Sequence, residues 1–315
     1  MSSSSTQSKE RPMRWFHHLE YFAFRTTVAV VSRLPERFAY WLFARTADFY
    51  LRFASRRREL GRTNLSLAFP DADEDFLRRT LREATRNAFQ NVLDAMLMLR
   101  HVEKGTFAER VDTSVPRALK PEGAFLGLAA HLGSWEVSAI GIASLVEEGH
   151  AIGRMPKNPK LAALLRQKRE SAGLNLHNRR GGIRPLARAL VRGHAGMLVV
   201  DQNQRRRGMF VPFFGKLAST DRSAATLALK RGYPIMFGTA VRKGPGFRFV
   251  FDVEMVDLPA PTGDEDQDLY EACAQINRTI EVFVRRYPSQ YLWIHDRFRT
   301  RPPSETAECP ASLAS

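Results

Sequence analysis

The sequence predicts an α/β fold: a mostly parallel central sheet flanked by helices, preceded by a helical segment. Three observations carry that expectation. A chain of 315 residues that is 44% hydrophobic is long enough to bury a large core. Before residue 110 the apolar residues recur at helical spacing and no strand-like run appears. From Val111 onward, short apolar runs of strand length alternate with helical stretches. The expected organisation is a polar tail at 1–12, a helical segment at 13–110 packed on the core, an α/β domain at 111–302 that carries the candidate catalytic residues, and a disordered tail at 303–315.

Met1 to Pro12 is Ser-rich and lacks the apolar core of a signal peptide, and Ser2 excludes a myristoylation signal. Secretion is therefore not expected. Two helices follow, Met13 to Val31 and Glu36 to Phe53, separated by Pro35 and closed by the run Arg56-Arg57-Arg58. Both are rich in aromatics, Trp15, Phe16, Phe22, Phe38, Trp41, Phe49 and Phe53 among them, with arginines at intervals. The most apolar stretch, Trp15 to Leu34, is interrupted by Glu20, Arg25 and Arg33, so a spanning helix is not expected. Aromatic bulk with interleaved arginine on helices too polar to span describes a segment lying in a membrane interface. A buried helical pair with solvated arginines is the competing reading. A helix through Phe69 ends at Pro70, and Asp71 to Asp75 caps a long amphipathic helix reaching about Leu99.

Phe125 to Ala129 reads as a strand that delivers His131 into a Gly-Ser turn, and Ser134 to Glu147 as the helix after it. Were His131 and Glu136 on one helix, they would lie about 140° apart. With His131 in the loop and Glu136 in the first helical turn they can meet, and the helix dipole favours a carboxylate there. A carboxylate on one imidazole nitrogen fixes the tautomer and frees the other to take a proton from a hydroxyl. By itself a His-x4-Glu pair is a weak signal, equally met by a histidine satisfied at a helix terminus.

Strands at His150 to Arg154, Leu174 to His177 and Gly196 to Val200 alternate with helices at Asn158 to Gly173 and Ile183 to Arg192. Reactive groups in such sheets collect past the carboxyl ends of the strands, which puts His131, Arg154 and Asp201 on one rim. Prolines 156 and 159 stiffen the loop that carries Arg154 and Lys157, with Asn158 as the following helix cap. The block Asp201-Gln202-Asn203-Gln204-Arg205-Arg206-Arg207 is a polar, basic turn, either solvated or suited to an acidic group. A β-rich arm then runs to Phe213-Phe214-Gly215, core residues or the wall of a channel, after which Ser219 and Thr220 are expected to cap a helix from Arg222 to Arg231. Strands Ile235 to Arg242 and Arg248 to Glu254, a linker to Asp268, a helix Leu269 to Arg286 and the block Pro288 to Pro302 complete the chain.

The balance of 48 Lys and Arg against 33 Asp and Glu, net +15, argues for an anionic partner: nucleic acid, a membrane surface, or an acidic carrier or substrate. Only two cysteines occur, Cys273 and Cys309, too far apart to read as a disulfide framework or a zinc site. No metal or bound cofactor is expected. No Gly-x-Ser-x-Gly elbow or P-loop is present.

Taken together, Asn64-Leu65 with Phe69-Pro70, His131-Leu-Gly-Ser-Trp-Glu136, Arg154 with Asn158-Pro159, Asp201-Gln202 with Phe210 to Gly215, and Pro288 with Gln290 and Leu292-Trp293-Ile294-His295 resemble the lipid A late acyltransferases, the lauroyl and myristoyl transferases of the lysophospholipid acyltransferase superfamily. The resemblance runs from about Leu34 to Pro302. The chain departs from it at Ser134, where Asn is common, at Ser289, at Asp296 and in Thr220 to Ser223, which lacks the usual glycine. The resemblance implies a glycerolipid acyltransferase-like fold at the cytoplasmic face of a bacterial inner membrane. It implies an O-acyltransferase that moves a fatty acyl chain from acyl-carrier protein or acyl-CoA, as co-substrate, to a hydroxyl of a lipid A precursor or similar glycolipid. His131, oriented by Glu136, would be the general base, with Arg154 or backbone amides near Gly133 stabilising the oxyanion. Substrate contacts would come from Arg154, Lys157, Asn158, Asp201, Gln202, Arg205, Phe213 and Phe214. The alternatives are the same chemistry on a phosphatidylinositol mannoside, a lysophospholipid or an ornithine lipid, or a basic membrane or nucleic-acid binding protein without activity. Nucleic acid is not the expected partner, since it would need the aromatics exposed as stacking platforms.

Overall fold

The computed structural model describes residues 15–115, 119 and 121–302; the tails expected at 1–12 and 303–315 lie outside the described residues. Four helices come first: α1 (Trp15–Val31), α2 (Glu36–Phe53), α3 (Ser55–Ala68) and α4 (Glu74–Glu103). Each boundary has a local cause. Pro35 precedes α2, and the Asp73 carboxylate caps α4 by accepting the Phe76 N–H at 2.6 Å. The chain breaks at Ala54, so Arg56-Arg57-Arg58 opens α3 instead of closing α2.

The α/β part comprises β1 (Val111–Asp112), β2 (Leu126–Ala129), α5 (Trp135–Ala143), β3 (Gly149–Gly153), α6 (Pro159–Glu170), β4 (Leu174–Asn178), α7 (Ile183–Val191) and β5 (Ala195–Val199). A separate hairpin, β6 (Met209–Phe213) and β7 (Lys216–Thr220), leads to α8 (Ser223–Arg231), β8 (Ile235–Arg242), β9 (Phe249–Met255) and α9 (Glu265–Arg286). The main sheet has seven strands in the order β1-β9-β8-β2-β5-β3-β4, and only the β8–β9 pairing is antiparallel. The expected cap at Ser219 and Thr220 is corrected: both belong to β7, and the Asp221 carboxylate accepts the Ser223 N–H at 2.8 Å instead. The hairpin turns on Phe214 and Gly215, both at positive φ (50° and 74°), the conformation a two-residue loop needs to match strand twist.

Side chains alternate between the two faces of the sheet. Ile235 and Phe237 of β8 enter a core with α8, α9 and Trp293, while Met236 and Ala240 enter one with α2 and α5. The long helix α4 serves both cores: Leu77, Leu81 and Ala84 pack in the first, Leu93, Leu97 and Met98 in the second. Its buried polar face meets the end of β8. Asp94, fully buried, accepts hydrogen bonds from Tyr40 at 2.5 Å and from Arg242, which also reaches Asn87 and Asn91. Burial and the neighbouring Asp94 push the Tyr40 phenol far above its ordinary value.

Two outcomes follow from these helix contacts. Replacing Arg242 with Ala strands Asp94 as an uncompensated buried charge and is expected to cost about 3–5 kcal/mol in denaturant unfolding. Asp48 joins α2 to Arg82 and Arg86 of α4, with oxygens 2.9 and 2.7 Å away. The hydrogen bond from Arg82, aided by Arg86, holds its carboxyl well below the usual range. A carboxyl lowered on folding stabilises above its unfolded value of about 3.9 and loses that contribution as pH falls through the folded value. The stability gap between wild type and Asp48→Asn, read from thermal midpoints, should therefore be full at pH 7 and shrink progressively below about pH 4.

Candidate active site

The site starts from strand register. Strands β2 and β5 are parallel neighbours with Ala129 opposite Val199, and two residues further along the same rim stand His131 and Asp201. Asp201 is buried, 2% exposed. One of its oxygens lies 2.7 Å from His131 Nδ1 and the other accepts the His131 backbone N–H at 2.9 Å. Burial pushes this carboxyl up, but the His131 ring, the His131 N–H and Arg297 outweigh it and leave it below its ordinary value, hence ionised. An ionised carboxylate on Nδ1 makes that nitrogen the protonated one, so Nε2 presents a lone pair. The Gln202 side-chain amide, 3.0 Å away, donates to it. The Trp135 ring lies against the imidazole with centroids 4.9 Å apart.

Glu136 occupies the first turn of α5, as its spacing predicts, yet it does not orient His131. Its carboxylate accepts from Arg169 of α6 at 2.7 Å, and both imidazole nitrogens are engaged by Asp201 and Gln202. The orienting role expected of Glu136 therefore passes to Asp201, because the β2–β5 register brings a residue distant in sequence closer than the turn brings a near one. Gly133 makes that turn at φ 58°, where an added Cβ would meet the Ala240 carbonyl at 2.2 Å. Its carbonyl accepts from Asn87 and Asn91 at 3.1 and 2.7 Å, which ties the turn to α4. The backbone amides offered as oxyanion donors are also spoken for: Gly133 N–H donates to Gln290 and Ser134 N–H to Ala240.

Two cavities meet at this rim. One, of about 650 Å³, holds His131, Trp135, Glu136 and Arg169 and extends along apolar side chains that include Ile152, Leu174, Leu176 and Leu198. The other, of about 920 Å³, is lined by eight arginine or lysine side chains, Arg56, Arg154, Lys157, Arg179, Arg205 and Arg299 among them, against one carboxylate, Asp296. Arg154, Arg179, Gln202 and Gln204 line both. Among the described residues, Arg154 and Lys157 make no ion pair.

The remaining residues singled out by sequence divide by burial. Arg154, Lys157 and Arg205 are exposed at the basic cavity, and Gln202 bridges the two. Asn158 is corrected from a substrate contact to a structural cap. It is fully buried, accepts the Lys160 N–H at 3.0 Å and donates to the His17 carbonyl at 2.8 Å. Phe213 and Phe214 are corrected likewise: they are buried among Tyr291, Trp293 and Phe298 and line neither cavity. Sequence reasoning missed Trp135 against the imidazole, Arg169 in the same cavity, and Arg179, Arg180 and Arg299 at the basic cavity. The Arg179-Arg180 pair followed by Gly181-Gly182 just past a strand was the available signal for the last group.

Comparison with known proteins gives the family. A family model described as bacterial lipid A biosynthesis acyltransferase matches residues 10–300. The chain is 28% identical over 263 residues to the lipid A biosynthesis palmitoleoyltransferase of Escherichia coli (strain K12), covering 81% of this chain and 83% of that protein. It is 26% identical over 304 residues to the lipid A biosynthesis myristoyltransferase of the same organism, covering 92% and 91%. The lauroyltransferase of that organism is 23% identical over 279 residues, covering 87% and 89%.

The Asp201 contact is open to a direct spectroscopic test. Nitrogen-15 spectra of the imidazoles should show His131 as the Nδ1–H tautomer in the wild type. In Asp201→Asn that signal should shift toward the Nε2–H form with the fold retained.

Proposed function

The chain belongs to the bacterial lipid A biosynthesis acyltransferase family, and on that premise we propose that it moves a fatty acyl chain from an acyl thioester, on acyl-carrier protein or coenzyme A, to a hydroxyl of a lipid A precursor or similar glycolipid. The observation that carries this reading is an imidazole held through Nδ1 by a buried carboxylate, facing an apolar slot, with its other nitrogen bonded to Gln202, a residue that lines both the slot and the basic cavity.

In this reading the acceptor hydroxyl replaces the Gln202 amide at His131 Nε2 and gives up its proton there as the oxygen attacks the thioester carbonyl. Asp201 orients the ring and stabilises the imidazolium. Collapse of the tetrahedral intermediate breaks the carbon–sulfur bond, and the imidazolium returns the proton to the leaving thiolate. No acyl-enzyme forms. With the Gly133 and Ser134 amides committed, oxyanion stabilisation falls to Arg154, which stands unpaired where the two cavities meet. The acyl tail lies along Ile152, Leu174, Leu176 and Leu198, and the arginines of the larger cavity take phosphate groups of the acceptor. Glu136 neutralises Arg169, which would otherwise set a bare cation beside the base.

Membrane association enters on the same footing. No helix among the described residues is long and apolar enough to cross a membrane. Helices α1 and α2 nevertheless expose Trp15, Phe22, Trp41, Phe49 and Phe53, each more than half accessible. Such a face suits the interface of an inner membrane at its cytoplasmic side.

A transfer assay in mixed micelles, with a panel of acyl donors and glycolipid acceptors, tests the proposal. His131→Ala should lower turnover by at least about 10³-fold, and Glu136→Ala by about 10²-fold, with both proteins folded. Arg179→Ala combined with Arg205→Ala should raise KM for a phosphorylated acceptor about tenfold while leaving kcat nearly intact. Near-wild-type turnover in His131→Ala would remove the mechanism.

A further inference from the structure

A second constellation of ionisable groups lies at the opposite rim of the sheet and takes no part in the reaction above. Glu148 directly precedes β3, His150 is the second residue of that strand, and His194 directly precedes β5. Strands β3 and β5 are parallel neighbours with His150 opposite Gly196, so the three residues gather at the amino ends of the strands, whereas His131 follows a carboxyl end. His150 Nε2 stands 3.1 Å from His194 Nδ1 and 3.1 Å from one Glu148 oxygen, and His194 Nδ1 stands 3.4 Å from the other oxygen.

Those separations carry chemical meaning. Two imidazole nitrogens and a carboxylate oxygen bound to one ion at about 2.0–2.2 Å in a tetrahedral set lie about 3.3–3.6 Å from one another. The nitrogen pair, and each nitrogen with its own Glu148 oxygen, are close to that spacing, and one ligand atom from each of the three residues lies within 4.8 Å of the others. His177 of β4 supplies the outer partner. Its Nε2 is 2.9 Å from His150 Nδ1, and the two rings stack at an interplanar angle of 4°. When His150 donates its Nδ1–H to His177, Nε2 is left with its lone pair on the side of His194 and Glu148, the arrangement typical of metal-ligating histidines. Access is one-sided: the His150 side chain is 5% exposed, those of His194 and Glu148 26% and 44%.

We propose that Glu148, His150 and His194 form a binding site for a divalent transition metal, zinc being the ion that a His₂Glu set suits best, with water in the fourth position. The ion clips the loop entering β3 to the loop entering β5. Its free energy of binding stabilises that edge of the sheet by mass action and leaves the reaction at the other rim untouched.

The test uses the full, tag-free chain in detergent, stripped of metal and titrated with Co²⁺. The expected result is one Co²⁺ per chain with the visible absorption of a four-coordinate ion, displaced by Zn²⁺, and a thermal midpoint that rises by several degrees with Zn²⁺. Glu148→Gln and His194→Ala should each weaken binding at least tenfold, and His177→Phe by about 10–100-fold. His131→Ala should bind as wild type does, which separates this site from the reacting histidine. Absence of saturable binding would overturn the proposal, as would binding that survives in the Glu148→Gln, His194→Ala double variant while its metal-free midpoint matches that of the wild type.

Discussion

The parallel register of β2 with β5 is the constraint from which the rest of the site follows. It puts residue 131 opposite residue 201, so a histidine leaving one strand meets a carboxylate leaving the next with no adjustable loop between them. The second Asp201 oxygen takes the backbone N–H of the same histidine, which fixes the main chain as well as the ring. A carboxylate this buried is expensive to keep ionised, and it remains so because every neighbour that reaches it is a donor or a cation. The same contacts that select the tautomer thus also supply the compensation for burying the charge.

A second polar network holds the turn after His131 in place. Arg242 at the end of β8 binds Asp94, Asn87 and Asn91 on α4, and both asparagines donate to the Gly133 carbonyl. The helical segment at the amino end is thereby part of the site's framework. Asn64 of α3 donates to the carbonyls of Trp293 and His295, and Asn158 of the α6 cap donates to the His17 carbonyl of α1. The first joins α3, and the second the aromatic-faced α1, to a loop at the rim that carries His131. Through Asn158 for α1 and the Tyr40–Asp94 bond for α2, both aromatic-faced helices are tied to the framework that holds His131.

How much of this is legible in the sequence depends on the range of the interaction. Local signals read well: α2 runs from Glu36 to Phe53 as Pro35 and the pattern indicate, and His131 sits in a loop with Glu136 in the first turn of the next helix. The collection of His131, Arg154 and Asp201 past strand ends also follows from alternation alone. Which carboxylate holds the histidine does not follow, because it depends on β2 lying beside β5 instead of β3, a crossover that no periodicity encodes. Spacing therefore favoured the near residue, Glu136, over one 70 positions away. Phe213 and Phe214 failed for a related reason. Their company with Asp201 in sequence suggested a shared channel, while the hairpin turns them into the core under Trp293.

The +15 charge also becomes specific only in three dimensions. Many arginines are consumed internally: Arg82 and Arg86 by Asp48, Arg242 by Asp94, Arg286 by Asp252 and Glu254, and Arg297 by the Ser219 carbonyl and Thr220. Those cations are locally neutralised or spread over carbonyls and contribute little to the field outside the protein. The cations that line the larger cavity face one another with a single carboxylate among them. Holding them together is unfavourable for the empty protein, and the repulsion is relieved when a multiply charged anion enters. Arg154 and Arg179 belong to both cavities, and among the described residues neither makes an ion pair, so in the proposed reaction an anionic acceptor held there would be drawn toward guanidinium groups that also reach the imidazole side. In the proposed reaction, binding energy from the charged end of the substrate would in this way be coupled to placement of its reacting end, which is how remote contacts come to lower a barrier instead of merely tightening the complex.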